Sequence, residues 1–308
     1  MFSFAVNHMS VAKASYQSLL DTASEAGCIG IEVRNDLDGK LFDGVDPKEA
    51  GQMARDKGLR ILALAEVKAF NRIKSHGTQT QAVQTQAVQT IEELASIASA
   101  SGAEGISLIP ANDGETLDSE RRYAQLMQAV SEINPVLEAH DLTGFIEPLG
   151  FESASLRHKH EVVEVINELE VAERFKIVHD TFHHFLAAHL SPSPTLSTPL
   201  SDPNDDSIRA DASDSDSFFA AHTGMVHISG LTLQSIAVNQ MADGHRLLVD
   251  AGDRLQNIEQ LNALAKAGYT GPVSIEAFSP LVHQYTDPAA KLKACFQFIE
   301  AQSSAVAA

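Results

Sequence analysis

With 308 residues and 44% hydrophobic content, the chain can bury a sizeable core, as one large domain or as two ordinary ones. Trp is absent and aromatic residues make up only 6%, so Ala, Leu, Ile and Val must do most of the packing. A formal net charge of −19 argues against a nucleic-acid partner, whose phosphates draw affinity from Lys and Arg, and disfavours anionic surfaces.

Short β-prone runs alternate with helical stretches along the chain. The first run, Phe2–Val6, leads into Asn7-His8 with no glycine-rich phosphate loop, which argues against an open dinucleotide-binding sheet. Further runs follow at Ile29–Val33, Arg60–Leu64, Gly105–Ile109, Gly144–Glu147, Phe175–Asp180, Met225–Ile228 and Pro272–Glu276. Between them lie Ala-, Leu- and Glu-rich stretches with helical spacing, as at Ile91, Leu94, Ile97 and Ala98, which share one face. Gly27, Gly58, Gly102 and Gly268 each separate a helical stretch from the next run, the chemistry of a helix-to-strand turn. Thr78–Thr90 repeats Gln-Ala-Val-Gln-Thr with few breakers and reads as the exposed start of the helix through Ile91. Ser191–Ser217 is rich in Ser, Pro and Asp and reads as a surface loop between the sixth and seventh strands, either a lid or a solvated insertion. Eight strands alternating with helices predict a closed (β/α)8 TIM barrel, with residues 1–308 as one domain carrying that loop.

Cys28 and Cys295 are the only cysteines, a usage that fits a reducing compartment. The opening segment Met1–Lys13 lacks the basic start and apolar core of a signal peptide. No stretch approaches the roughly 18 apolar residues of a spanning helix. These features predict a cytoplasmic protein with no membrane partner.

Four of the later runs end in a metal-type ligand: Glu147, Asp180, His227 and Glu276. Three carboxylates and an imidazole make an oxygen/nitrogen set for a hard or borderline divalent cation. Strand ends are also where parallel barrels collect catalytic residues. Taken singly, each has a plainer reading, a salt-bridged Glu or a satisfied core His; together the matching strand ends favour ligands. Of the crowded histidines, His179 should alternate away from Asp180 and be structural, while His184 and His189 belong to a helix or loop. That leaves His183 to meet a substrate, and His222 ranks below His227. Glu32 and Glu66 end earlier runs, and Arg34, Lys68 and Arg246 either fix a polar substrate or stand in solvated ion pairs. His183, Arg246, Glu32 and Lys68 are the substrate-binding candidates.

These phrases, in order, resemble the xylose isomerase-like TIM-barrel proteins, specifically the sugar phosphate isomerase/epimerase group that includes inosose isomerases and hydroxypyruvate isomerase. The resemblance rests on Gly30-Ile-Glu-Val-Arg, Leu62-Ala-Leu with Phe70-Asn71, Glu147, Asp180-Thr-Phe-His183, Val226-His227-Ile and Val273-Ser-Ile-Glu276-Ala-Phe. It implies that Glu147, Asp180, His227 and Glu276 bind one divalent metal with His183 close by, and that Arg246 contacts substrate. Two departures bear on the substrate more than on the metal: Ile228-Ser-Gly-Leu follows the seventh strand without an acidic residue, and Val249-Asp-Ala-Gly-Asp replaces a Pro-Gly-x-Gly-like turn.

The ligand set implies that a cation polarises a carbonyl and its neighbouring hydroxyl and stabilises the enediolate, while Glu147 and Glu276 exchange a proton between adjacent carbons. The expected function is isomerisation or epimerisation of a keto-sugar or inosose, with a small polar sugar or polyol as substrate. Mn, Mg, Co and Zn all suit the site, with a lean toward Mn, Co or Mg. A homo-oligomer is compatible with the sequence. A dehydratase or other lyase acting on a keto-polyol would use the same centre. A non-catalytic metal- or sugar-binding protein would have no need of both acid/base candidates. Apurinic-site endonucleases share the superfamily, and Asp243-Gly-His245 echoes one of their ligand pairs. Their further His ligands are missing at Leu64-Ala-Glu-Val and Ser107-Leu-Ile-Pro, and the net charge opposes DNA.

Overall fold

Local signals start and stop the elements of the computed structural model, which describes residues 2–72, 78–115, 117–190 and 215–306. The strands are β1 (Ser3–Asn7), β2 (Gly30–Arg34), β3 (Arg60–Lys68), β4 (Gly105–Ile109), β5 (Thr143–Ile146), β6 (Phe175–Asp180), β7 (Thr223–Ile228) and β8 (Pro272–Ile275). The helices are α1 (Tyr16–Ala26), α2 (Pro47–Asp56), α3 (Thr78–Ser101), α4 (Ser119–His140), α5 (Lys159–Glu168), α6 (Thr181–His189), α7 (Ser215–His222), α8 (Asn257–Lys266) and α9 (Pro288–Val306). Ser15 begins α1 by accepting a hydrogen bond from the Ser18 N–H, and Asp46 followed by Pro47 begins α2. Gly27 (φ 84°) and Gly268 (φ 95°) end α1 and the turn after α8 in the left-handed conformation that glycine adopts without a Cβ clash.

Each strand pairs in parallel with the next, and β8 pairs back onto β1, so the sheet is the closed barrel predicted from the sequence. Most strand boundaries fall within one or two residues of the predicted runs, and three larger features go beyond them. β3 runs on through Lys68, because pairing with β4 resumes past a register shift at Val67↔Leu108 and Lys68↔Ile109. This lifts Glu66 and Lys68 to the barrel rim. α6 follows β6 directly, which settles the helix-or-loop reading of His184 and His189 as helix, since Asp180 accepts from the His183 N–H at 2.9 Å and caps it. The last residues of the Ser191–Ser217 segment belong to α7, and residues 191–214 lie outside the described ones. No helix among the described residues is long and apolar enough to cross a membrane.

The interior of the barrel is stacked in layers by the two-residue period of a strand. Ala5, Leu62, Ala63, Phe145, Val178 and Met225 form an apolar cluster. Two residues further along their strands stand Asn7, Glu147, Asp180 and His227. The apolar layer is therefore a plug on which the polar layer rests. Phe145 fits because its neighbours are small: a Cβ on Gly105 would come within 2.6 Å of the Phe145 ring and 2.2 Å of the Thr143 carbonyl oxygen, and one on Gly224 within 2.7 Å of the ring. The Gly105→Ala variant should lose roughly 1–3 kcal/mol, the usual cost of overpacking, seen as a lowered urea midpoint with an unchanged slope. An unshifted midpoint would show that this layer has slack.

Candidate metal centre

The polar layer brings one ligand atom each from Glu147, Asp180, His227 and Glu276 within 4.8 Å of one another, all four residues being buried. Glu147 directly follows β5, Asp180 ends β6, His227 lies one residue from the end of β7 and Glu276 directly follows β8. His227 is oriented from behind. Its Nε2 lies 3.0 Å from Glu32 Oε2, and the other oxygen of Glu32 accepts from the Ser274 hydroxyl at 2.5 Å. Nδ1 is thereby turned inward, 3.3 Å from Glu147 Oε2 and 3.2 Å from Glu276 Oε2, yet it makes no hydrogen bond of acceptable geometry. A buried ring nitrogen with no well-formed hydrogen bond, facing two carboxylate oxygens, fits a divalent cation in the remaining space.

Two arginines hold the carboxylates. Arg246 donates through Nη2 to Asp180 Oδ2 at 2.5 Å and Glu276 Oε2 at 3.0 Å, through Nη1 to Asp243 at 3.2 Å, and through Nε to the Ser229 hydroxyl at 2.9 Å. Its guanidinium lies over the rings of Phe278 and Phe182, 4.6 and 5.1 Å from their centroids. Arg34 donates to Glu276 Oε1 at 3.0 Å and grips Asp36 with two bonds of 2.7 and 2.8 Å. Glu66 completes the Arg34 shell at 3.0 Å, and Asn7 adds a 3.1 Å bond to Glu276 Oε1.

Without a cation, this grouping redistributes protons. Burial pushes Glu147 up to about 8, with Glu276 and Asp180 adding to the shift and His227 only partly offsetting it. For Glu276, burial is outweighed by His227, Arg246 and Arg34, which hold it well below the usual carboxylate range. His227 is raised well above its ordinary value, because the Glu276, Glu32 and Glu147 carboxylates outweigh burial. Burial lowers His183, helped by Arg246 and opposed by Asp180.

Above the centre opens a cavity of about 390 Å³, with Glu147, Glu276 and His183 among its lining residues. His183 Nε2 lies 3.8 Å from Glu147 Oε1. Arg246 lines the cavity wall, and Lys68 stands at the rim, its side chain 63% exposed and paired with Asp36 and Glu66 at 3.0 and 3.1 Å. Glu32 is placed elsewhere. It sits in the middle of β2, fully buried behind His227, and has no surface to offer a substrate; its position corrects the expectation that it binds one. His179 faces away from the centre, its ring nitrogens 3.0 Å from Lys159 Nζ and 2.8 Å from Gln260 Oε1. Asp243 is engaged by Arg246, and His245 Nδ1 accepts from the Ala242 N–H, so this pair adds no second cluster among the described residues. Sequence reasoning missed Asp36, Phe151 and Phe278 on the cavity wall. Asp36 and Phe278 stand two residues beyond Arg34 and Glu276, past the strand ends, where no strand period marks them.

A family model described as xylose isomerase-like TIM barrel matches residues 20–301. No curated protein matches the chain. Among solved structures, the barrel is similar to a xylose isomerase domain containing protein (stm4435) from Salmonella typhimurium at 22% identity and TM-score 0.78, covering 98% of this chain and 97% of that one. It is similar to the IOLI protein with a bound zinc atom at 15% identity and TM-score 0.73, covering 98% of each chain. A D-psicose 3-epimerase from Clostridium cellulolyticum in complex with D-tagatose superposes at 14% identity and TM-score 0.65, covering 98% of this chain and 99% of that one. At these identities the likeness establishes the fold alone.

Cation uptake must displace the protons carried by His227 and Glu147. Affinity should therefore rise with pH through about 8 and fall in acid, with proton release visible as a buffer-dependent calorimetric enthalpy. A pH-independent affinity would contradict the proposed ligand set. Glu32→Gln should weaken cation binding roughly 10- to 100-fold in a chelator competition, because the charge that orients His227 is removed. Unaltered affinity would exclude Nδ1 of His227 as a ligand held in this way.

Proposed function

The chain belongs to the xylose isomerase-like TIM barrel family, and from that premise we propose that it is a divalent-metal-dependent isomerase or epimerase of a keto-sugar or inosose. The observation that carries this reading is the buried Glu147, Asp180, His227, Glu276 cluster at the strand ends, with both glutamates open to the 390 Å³ cavity. The epimerase with D-tagatose bound lends support, since a ketose of that size suits such a cavity.

A cation held by these four residues would polarise a substrate carbonyl and the adjacent hydroxyl and acidify the C–H between them. The chain's own groups supply the rest. Glu147 and Glu276 both line the cavity, so both carboxylates would border the space the reacting carbons occupy. The ionised one would remove a proton from carbon, and the protonated one would deliver its own proton to the neighbouring carbon or to the opposite face of the same one. Their surroundings differ. Glu276 is fixed by Asn7, Arg34 and Arg246, whereas Glu147 faces the imidazoles of His227 and His183, at 3.3 and 3.8 Å. Glu147 is thus free to turn toward a substrate carbon, while Glu276 acts from a fixed position. His183 lines the cavity and would meet a substrate oxygen, while Arg246, whose donors are engaged by Asp180, Glu276, Asp243 and Ser229, would act through the carboxylates it holds.

Turnover of a panel of ketoses and inososes with added Mn, Mg, Co or Zn tests the reading. Glu147→Gln and Glu276→Gln should each lower kcat by at least about a hundredfold, the scale of general acid–base catalysis, with circular dichroism unchanged. Full activity in both variants would refute the proton-transfer roles. Solvent deuterium entering the product carbon would separate proton transfer from hydride transfer.

A further inference from the structure

We infer that the cavity selects an uncharged polyhydroxy substrate and rejects its phosphorylated or carboxylated counterpart, because the cations lining it are already matched by carboxylates of its own wall. The inference rests on the sugar-binding reading of the same site and narrows its substrate class.

Arg34, Lys68 and Arg246 are the Lys and Arg residues among the described residues that line the cavity. Each is engaged. Arg34 spends its donors on Asp36, Glu66 and Glu276. Lys68 bridges Asp36 and Glu66. Arg246 divides itself among Asp180, Glu276, Asp243 and the Ser229 hydroxyl. Against these three cations stand Asp36, Glu66, Glu147, Asp180, Asp243 and Glu276, so carboxylates stay in excess even beside a divalent cation. An incoming phosphate or carboxylate would have to displace one of these carboxylates, and Arg34 and Glu276 are both buried. A carboxylate stranded there would be unpaired in a low-dielectric site, which opposes the exchange.

Hydroxyl groups face no such conflict. A carboxylate engaged by an arginine keeps lone pairs for a further donor, and a sugar hydroxyl can both donate to Asp36 or Glu66 and accept from Lys68. Phe151 and Phe278 offer apolar faces for the C–H side of a carbohydrate. The part of the wall formed by Asp36, Glu66 and Lys68 is thus a hydroxyl-reading surface set apart from the metal ligands.

The test is calorimetric titration of the full-length, magnesium-loaded protein with D-fructose and with D-fructose 6-phosphate, in the wild type and in an Asp36→Asn/Glu66→Gln variant. In the wild type the ester should bind at least about tenfold more weakly than the free sugar. In the variant, with Arg34 and Lys68 released, the ester should gain at least about tenfold relative to wild type. Ester binding equal to or tighter than sugar binding in the wild type overturns the inference, as does a folded variant that gains nothing. If the wild type takes up neither probe, the gain or its absence in the variant decides. If the double variant does not fold, Asp36→Asn alone carries the same comparison. These are binding readouts, so failure of the isomerase reading appears separately, as absent turnover of every sugar in the panel.

Discussion

Glu276 is the residue at which the charges inside the barrel are balanced. Its Oε1 accepts from Asn7 on β1 and Arg34 on β2, and its Oε2 accepts from Arg246, which follows β7. A buried carboxylate is tolerated only when its charge is compensated and its lone pairs are satisfied. Here the compensation comes from three separate parts of the chain. Closing β8 onto β1 is what lets those donors converge, so barrel closure and the centre's electrostatics depend on one another.

Beneath this arrangement, the two-residue period of the strands ties stability to chemistry. Phe145 and Glu147 share one face of the β5 segment, Val178 and Asp180 one face of β6, and Met225 and His227 one face of β7. The first member of each pair packs in the apolar plug, and the second stands in the ligand layer. A slip of one residue would exchange those faces and place the ligands among the surrounding helices. The glycines that accommodate Phe145 therefore help set the height at which the centre sits.

This regularity explains what could be read from the sequence. Each of the four cluster residues stands at the end of a short apolar run or, for His227, one residue before it, a pattern visible without knowing which strands are neighbours, and alternating runs and helices were enough to predict the barrel. Glu32 escaped because its role depends on a partner 195 positions away: its pairing with His227 and Ser274 exists only once β2 faces β7 and β8 across the barrel. Asp36 and Phe278 lie beyond their strand ends, where periodicity no longer assigns a face. The extension of β3 was hidden because the charges of Glu66 and Lys68 break its apolar run, whereas they are matched by Arg34 and Asp36 at the rim.

The two glutamates of the centre show how a similar position can be tuned toward different work. Burial acts on both, but the cations lie on one. His227, Arg246 and Arg34 hold Glu276 ionised, the arginines fixing its orientation, while burial pushes Glu147 up to about 8 in the cation-free site despite the nearby His227. Had the arginines been shared evenly, neither carboxylate would be both uncrowded by cations and responsive near neutral pH. The uneven placement leaves one rigid anion that could hold a divalent ion and one adaptable carboxyl beside it. The same arginines, once committed to Glu276, Asp180 and Asp36, have little charge left to offer a ligand. The demand for charge compensation at the floor of the barrel thus propagates upward into the character of the cavity wall.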